Sequence, residues 1–138
     1  MIGLVIATHG RLGEELLRTA ELIIGTVENC LTIPVELDLS PDELKTRMEA
    51  AIQSQDQGQG VLILTDMFGG TPSNISLSFL KEERVDILTG ANLPMLLRAC
   101  QQREKPDATL RSLALDSRDY ARKGINMAGD MLGKRSRA

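Results

Sequence analysis

The stretch that decides the fold is Ile2-Gly3-Leu4-Val5-Ile6-Ala7-Thr8-His9, which a helical pattern follows at residues 12–24. The first six of these residues are apolar without alternation. Such a run is typical of a strand that is buried on both faces of a parallel sheet. We therefore expect a first strand over residues 2–8, with His9 in the turn at its carboxyl end. In open parallel sheets, this edge holds the ligand site.

The same alternation of strand and helix continues along the chain. Further strands are predicted over residues 29–37, 61–66 and 85–89. Helices are predicted from the N-cap Ser40 to the break at Gly58, over residues 72–80 with Thr71 as N-cap, from Asn92 to residue 103, and over residues 108–122. Strands that alternate with helices predict an α/β fold, a three-layer sandwich around a mostly parallel four-stranded sheet.

The end of the chain allows two interpretations. Residues 125–127 predict one more short strand, which no following helix buries. An edge strand of this kind tends to pair with another sheet edge. In the alternative, residues 124–138 form a solvated tail. We expect one domain over residues 1–130 and a basic tail over residues 131–138, which contains Lys134-Arg135-Ser136-Arg137.

Composition excludes several classes of protein. The net charge of −3 and the few aromatic residues disfavour recognition of nucleic acid. One histidine, with Cys30 and Cys100 far apart in sequence, leaves no Cys/His zinc site, so we expect no metal and two buried thiols. No run reaches the roughly 18 to 20 apolar residues of a membrane span. We therefore expect a soluble cytoplasmic chain.

The predicted carboxyl edge of the sheet collects the groups for phosphoryl transfer through histidine. His9 supplies a nucleophilic imidazole, and Asp66 supplies a carboxylate that can hold the proton on one ring nitrogen. Gly69, Gly70 and Thr71 precede a helix, where backbone N–H groups favour an anion. The chain has neither GxxxxGK[ST] nor GxGxxG, which disfavours a nucleotide site. Taken alone, Asp66 could cap a turn, and the glycines could form a tight turn.

Three motifs together carry a family resemblance. They are Val5-Ile6-Ala7-Thr8-His9-Gly10, Leu64-Thr65-Asp66-Met67-Phe68-Gly69-Gly70-Thr71-Pro72-Ser73-Asn74 and Thr89-Gly90-Ala91-Asn92-Leu93-Pro94-Met95-Leu96. In this order and at this spacing, they resemble the IIA component of the mannose family in the bacterial sugar phosphotransferase system (PTS). The resemblance covers residues 1 to about 130 and leaves little chain for a fused IIB domain. It therefore suggests a free-standing IIA protein.

The resemblance implies a phosphotransferase in which His9 accepts a phosphoryl group from the phosphocarrier protein HPr and passes it to a IIB protein. It also implies that Asp66 orients His9, that Thr71 and the glycines contact the phosphoryl oxygens, and that no cofactor takes part. A homodimer with an exchanged strand at the chain end is implied as well. Contact with the membrane would be indirect, through permease components that select the sugar.

Two positions depart from well-known members of the family. Phe68 stands where tryptophan is frequent, and Thr71 stands where some members have serine. Met67 and Phe68 lie on the loop beside the predicted site, so we expect them to form an exposed apolar patch for partner docking.

Three other functions remain open. A regulatory protein phosphorylated on His9 would have the same site. A phosphotransferase-dependent dihydroxyacetone kinase subunit uses a related domain, although the loop around Gly69 and Gly70 fits the mannose family better. A purely structural α/β binding protein is the third alternative.

Overall fold

The computed structural model describes residues 1–133, and within them the chain alternates between strands and helices as predicted. The strands are β1 (Gly3–His9), β2 (Cys30–Val35), β3 (Val61–Thr65) and β4 (Val85–Leu88). The helices are α1 (Leu12–Ile24), α2 (Pro41–Gln55), α3 (Thr71–Leu77), α4 (Leu93–Gln102), α5 (Leu110–Lys123) and α6 (Ala128–Met131). The predicted α/β class is confirmed.

The four strands form one parallel sheet in the order β2-β1-β3-β4. Because β1 and β3 are central, their carboxyl ends lie side by side, with Ala7 paired to Thr65. The end of β1 differs from the prediction, since His9 is its last residue and does not lie in the following turn. The next residue, Gly10, donates its N–H to the carbonyl of Val35 at 2.9 Å, which keeps the end of β1 attached to β2.

Aliphatic residues fill both sides of the sheet and make the three layers. On one face, the strands pack against α1, α4 and α5, with Leu4 and Leu62 at the centre. On the other face, Val5 and Ile63 pack against α2 and α3. Since consecutive residues of a strand point to opposite faces, the unbroken apolar runs of β1 and β3 follow from burial on both sides.

Local signals set several helix ends. The Ser40 hydroxyl accepts the N–H of Glu43 at 3.1 Å, as predicted for an N-cap. Asn92 caps α4 in the same way, with its side-chain oxygen 2.9 Å from the nitrogen of Met95. Gly25 ends α1 with a φ of 84°, a left-handed conformation that favours glycine.

The prediction that Thr71 caps α3 is wrong. Gly70 is the N-cap and Thr71 is the first helical residue, because the extended backbone of Gly70 lets its carbonyl accept the N–H of Asn74 at 2.9 Å. The helix also ends at Leu77, three residues earlier than predicted, because residues 78–80 continue in tighter turns that bond each N–H three residues back.

The thiols and the chain end complete the description. Cys100 is buried and Cys30 half-buried, and burial raises the pKa of Cys30 to about 12. Residues 125–127 are not a strand in the single chain and lead directly into α6. Their pairing with a second copy therefore stays a prediction, and the basic run at 134–137 lies outside the described residues.

No helix within residues 1–133 is long and apolar enough to cross a membrane.

Candidate active site

Asp66 lies against His9 and contacts it at two points. Its Oδ2 lies 2.9 Å from the ring Nδ1 of His9 and accepts the backbone N–H of the same residue at 3.0 Å. The other oxygen, Oδ1, accepts the N–H of Met67 at 3.0 Å. These contacts arise because His9 ends β1 and Asp66 directly follows β3, its neighbour in the sheet. The structure thus brings the two predicted residues together.

The contact with Asp66 fixes the tautomer of His9. An ionised carboxylate can only accept hydrogen bonds, so Nδ1 must carry the proton when it binds Oδ2. The lone pair of the neutral ring then resides on Nε2. The His9 side chain is 48% exposed, whereas that of Asp66 is 14% exposed. About half of the imidazole side chain is therefore open to solvent, and the carboxylate beside it is largely protected from water.

Gly70 lies beside this nitrogen. A Cβ added to Gly70 would come within 2.6 Å of Cε1 of His9, closer than real Cβ contacts, and within 3.2 Å of Nε2, which is tighter than most. Gly69, with a φ of 89°, turns the loop so that it can approach in this way. Both glycines are thus accounted for by the loop's geometry, one by its backbone conformation and the other by its contact with the imidazole.

Two backbone N–H groups without an acceptor in the described part of the chain lie in the loop beside the His9 ring. Within residues 1–133, no acceptor takes the backbone N–H of Gly70 or of Thr71. The Thr71 residue is exposed, which leaves its hydroxyl accessible to a ligand. The arrangement offers an anion two backbone donors, with a hydroxyl on the same residue as one of them, next to a histidine nitrogen that can attack phosphorus.

Apolar side chains stand at the edge of the site. Met67 is 54% exposed and Phe68 is 70% exposed, which agrees with their predicted place on the surface. Leu12, at the start of α1, is 47% exposed as well. By contrast, Met95 and Leu96 of the third motif lie on α4 and are buried in the core.

Sequence reasoning gave no role to Asn74, although it belongs to the second motif. Its side-chain amide donates to the carbonyl of Gly69 at 3.4 Å, and its backbone N–H binds the carbonyl of Gly70. The sequence feature that could have indicated this contact is an amide side chain at position 74, five residues after Gly69 and four after Gly70.

No group of three His, Cys, Asp or Glu side chains in the described part of the chain could hold a metal ion.

Comparisons with known proteins agree with this geometry. The family model of the PTS system fructose IIA component matches residues 3–111. The chain is 32% identical to the PTS system mannose-specific EIIAB component of Escherichia coli over 125 residues, which is 90% of this chain and 38% of that protein. It is 33% identical to the PTS system fructose-specific EIIA component of Bacillus subtilis over 105 residues, 75% of this chain and 72% of that protein.

A solved structure gives the same result. Phosphotransferase system component EIIA from Streptococcus agalactiae superimposes with a TM-score of 0.85 at 26% identity, and the match covers 94% of this chain and 99% of that one. Fold and sequence together define a phosphotransferase component of the parallel α/β class. Within that class, the chain belongs to the mannose-family IIA proteins of the sugar phosphotransferase system. It spans well under half the length of the E. coli EIIAB relative.

Proposed function

We propose that the protein is a phosphocarrier in which Nε2 of His9 accepts a phosphoryl group from phospho-HPr and delivers it to a histidine of a IIB protein. The observation that carries this proposal is the 2.9 Å contact between Nδ1 of His9 and Oδ2 of Asp66. It leaves the lone pair on Nε2, the nitrogen that faces the Gly70 loop. Family membership supports the role in the sugar phosphotransferase system.

The transfer needs no proton to leave the site. The Nε2 lone pair forms a bond to phosphorus while the bond from phosphorus to the donor histidine breaks, and the donor nitrogen recovers its electron pair. Positive charge develops on the His9 ring as the new bond forms. The carboxylate of Asp66 stabilises that charge through the Nδ1 proton, as the aspartate of a catalytic triad stabilises the imidazolium ring. Delivery to IIB reverses each step.

The phosphoryl oxygens meet the loop that faces Nε2. The N–H groups of Gly70 and Thr71 have no acceptor within residues 1–133, and the Thr71 hydroxyl adds a third donor. Hydrogen bonds to charged groups are stronger than neutral ones, so this loop stabilises the transferring group without a metal ion. Met67 and Phe68 supply apolar surface on which a partner docks, because both side chains stand exposed beside His9.

The protein also forms a homodimer in this proposal. β4 is an edge strand among the described residues, and a cavity of about 500 Å³ runs beside it, lined in part by Asp86, Thr89, Arg118 and Ile125. The exposed apolar residues of the chain end include Ile125, Met131 and Leu132. A strand that contains residues 125–127 of a second copy would cover the open edge and bury apolar surface.

Phosphorylation with purified components tests the function. The protein is incubated with HPr, its phosphoenolpyruvate-dependent kinase and labelled phosphoenolpyruvate. We expect one acid-labile phosphate per chain, located on Nε2 by NMR, and none on His9→Gln. Addition of a IIB protein should discharge the label. Acid-stable label on serine, threonine or aspartate would overturn the proposal. Label on His9 that no IIB protein removes would instead favour the regulatory function.

A further inference from the structure

We infer that Asn74 is a positioning residue that aims the backbone N–H groups of Gly70 and Thr71 at the phosphoryl group on His9. The inference rests on the proposed function and assigns a role to a side chain outside the reacting groups. It begins from two contacts by which one residue holds two consecutive carbonyl groups. The side-chain amide of Asn74 donates to the carbonyl of Gly69, and its backbone N–H donates to the carbonyl of Gly70.

Peptide geometry converts these contacts into a direction. The peptide bonds of the described residues are trans, so each carbonyl points opposite to the N–H of the next residue. When the carbonyl of Gly69 is held toward Asn74, the N–H of Gly70 must point away from it. The same relation links the carbonyl of Gly70 to the N–H of Thr71. Both N–H groups therefore point outward from the amino-terminal end of α3, where Gly70 lies against the His9 ring.

The loop needs such a constraint because of its composition. Glycine has the widest range of backbone conformations, and Gly69 occupies the left-handed region with a φ of 89°. Without the amide of Asn74, the peptide between Gly69 and Gly70 would keep no hydrogen bond on its carbonyl side within residues 1–133. This peptide could then rotate and turn one donor away from the phosphoryl group. The peptide between Gly70 and Thr71 would stay bound through the backbone N–H of residue 74.

The test compares Asn74→Leu with the unchanged protein. Leucine has the same branched shape as asparagine, although it is somewhat larger, and it cannot donate; position 74 is exposed, so the added volume has room. We expect kcat for transfer from phospho-HPr to fall roughly 10- to 100-fold, as for other small misplacements of reacting groups. The KM for phospho-HPr should stay within about twofold, since the variant leaves the docking residues Met67 and Phe68 unchanged. The half-life of the phosphohistidine should shorten as well. Asn74→Gln keeps a donor and should recover part of the rate.

Ser78→Ala is the matched control. The Ser78 hydroxyl donates to the carbonyl of Ile75 at 2.6 Å, a bond of the same kind at the other end of α3. This variant should transfer at the rate of the unchanged protein. Asn74→Ala, which removes the donor and favours a helix, repeats the measurement if leucine disturbs folding.

The outcomes separate the two proposals. A wild-type chain that phospho-HPr does not label would refute the proposed function. Labelled wild type with an unchanged kcat in Asn74→Leu and Asn74→Ala would refute only the role of Asn74. Equal losses in Ser78→Ala and Asn74→Leu would also refute it, since they would show general support of the helix.

Discussion

A single oxygen of Asp66, Oδ2, binds both the ring Nδ1 and the backbone N–H of His9, at 2.9 and 3.0 Å. The bond to the backbone N–H fixes the position of the His9 main chain, and the bond to Nδ1 fixes the orientation of the imidazole ring. Both hydrogen bonds would be lost if β3 shifted by one residue along β1, because Asp66 would then no longer lie beside His9 on the same face of the sheet. The orientation of the imidazole is therefore tied to the strand register.

Asp66→Asn should slow transfer from phospho-HPr by about 10²- to 10⁴-fold, because a neutral amide cannot stabilise the charge that develops on the His9 ring. Asp86→Asn is the control, since Oδ1 of Asp86 accepts the N–H of the following residue at 2.8 Å, as Oδ1 of Asp66 does at 3.0 Å. Transfer rates are measured by rapid quench with labelled phospho-HPr. Equal rates in both variants would mean that Asp66 only caps a turn.

Gly70→Ala should impair transfer without unfolding the chain. Its φ of −83° is open to alanine, so the backbone bears no strain, but the new Cβ would press on Cε1 of His9. We expect the ring to turn and the rate to fall roughly 10- to 100-fold. The ring ¹⁵N shifts of His9 report the displacement. Gly124→Ala, whose new Cβ would meet Pro94 and Ala121 and not the imidazole, serves as the control. Normal transfer by Gly70→Ala would contradict the close approach.

Arg103→Met should lower the free energy of unfolding by about 2–4 kcal/mol, because three carbonyl groups would each lose a donor. The guanidinium of Arg103 donates to the carbonyls of Ile2 and Asn29, each at 2.9 Å, and to that of Glu28. Burial lowers the pKa of this guanidinium. Urea denaturation measures the change in stability.

Arg98→Met provides the comparison for Arg103. Arg98 lies nearer the surface, where it pairs with Asp116 at 2.7 Å, and its loss should change the midpoint of unfolding far less. Similar midpoints for the two variants would show that Arg103 is not a structural tie between β1, α4 and the loop before β2.

A chain that ends at Lys123 should be a less stable monomer, because it lacks the segment proposed to cover the edge of β4 in a second copy. Removal of residues 134–138 alone should leave the dimer intact. Light scattering at micromolar concentration distinguishes the two states. A monomeric full-length chain would exclude both the dimer and the strand exchange.

The sequence was sufficient for the order of elements as far as α5, since the unbroken apolar runs of β1 and β3 specify burial on both faces, but it did not predict α6. It also placed His9 and Asp66 on one edge, because parallel strands end together. It could not place the N-cap of α3. Threonine is a common capping residue, but the extended backbone of Gly70 makes its carbonyl the acceptor of the first helical N–H.

The chain end and Asn74 were harder for a related reason. A short apolar segment such as residues 125–127 reads as a strand only if a partner edge exists, and a single sequence does not contain that partner. The contact from Asn74 to Gly69 depends on the exact turn of a di-glycine loop, which pattern and propensity do not encode. For Asn74, tertiary geometry determines the result, whereas pairing of residues 125–127 with a second copy stays a prediction.

The sparse surroundings of His9 have a thermodynamic consequence for a carrier. Every bond that stabilises phosphohistidine lowers its group-transfer potential by the same free energy. Arg11, the nearest cation in sequence, is already bound to Glu14 at 2.9 Å, and the loop offers mainly backbone donors. Under the proposed function, such moderate stabilisation would keep the equilibrium constant for phosphoryl transfer between HPr and His9 close to one. The phosphoryl group could then move in either direction as its neighbours fill and empty.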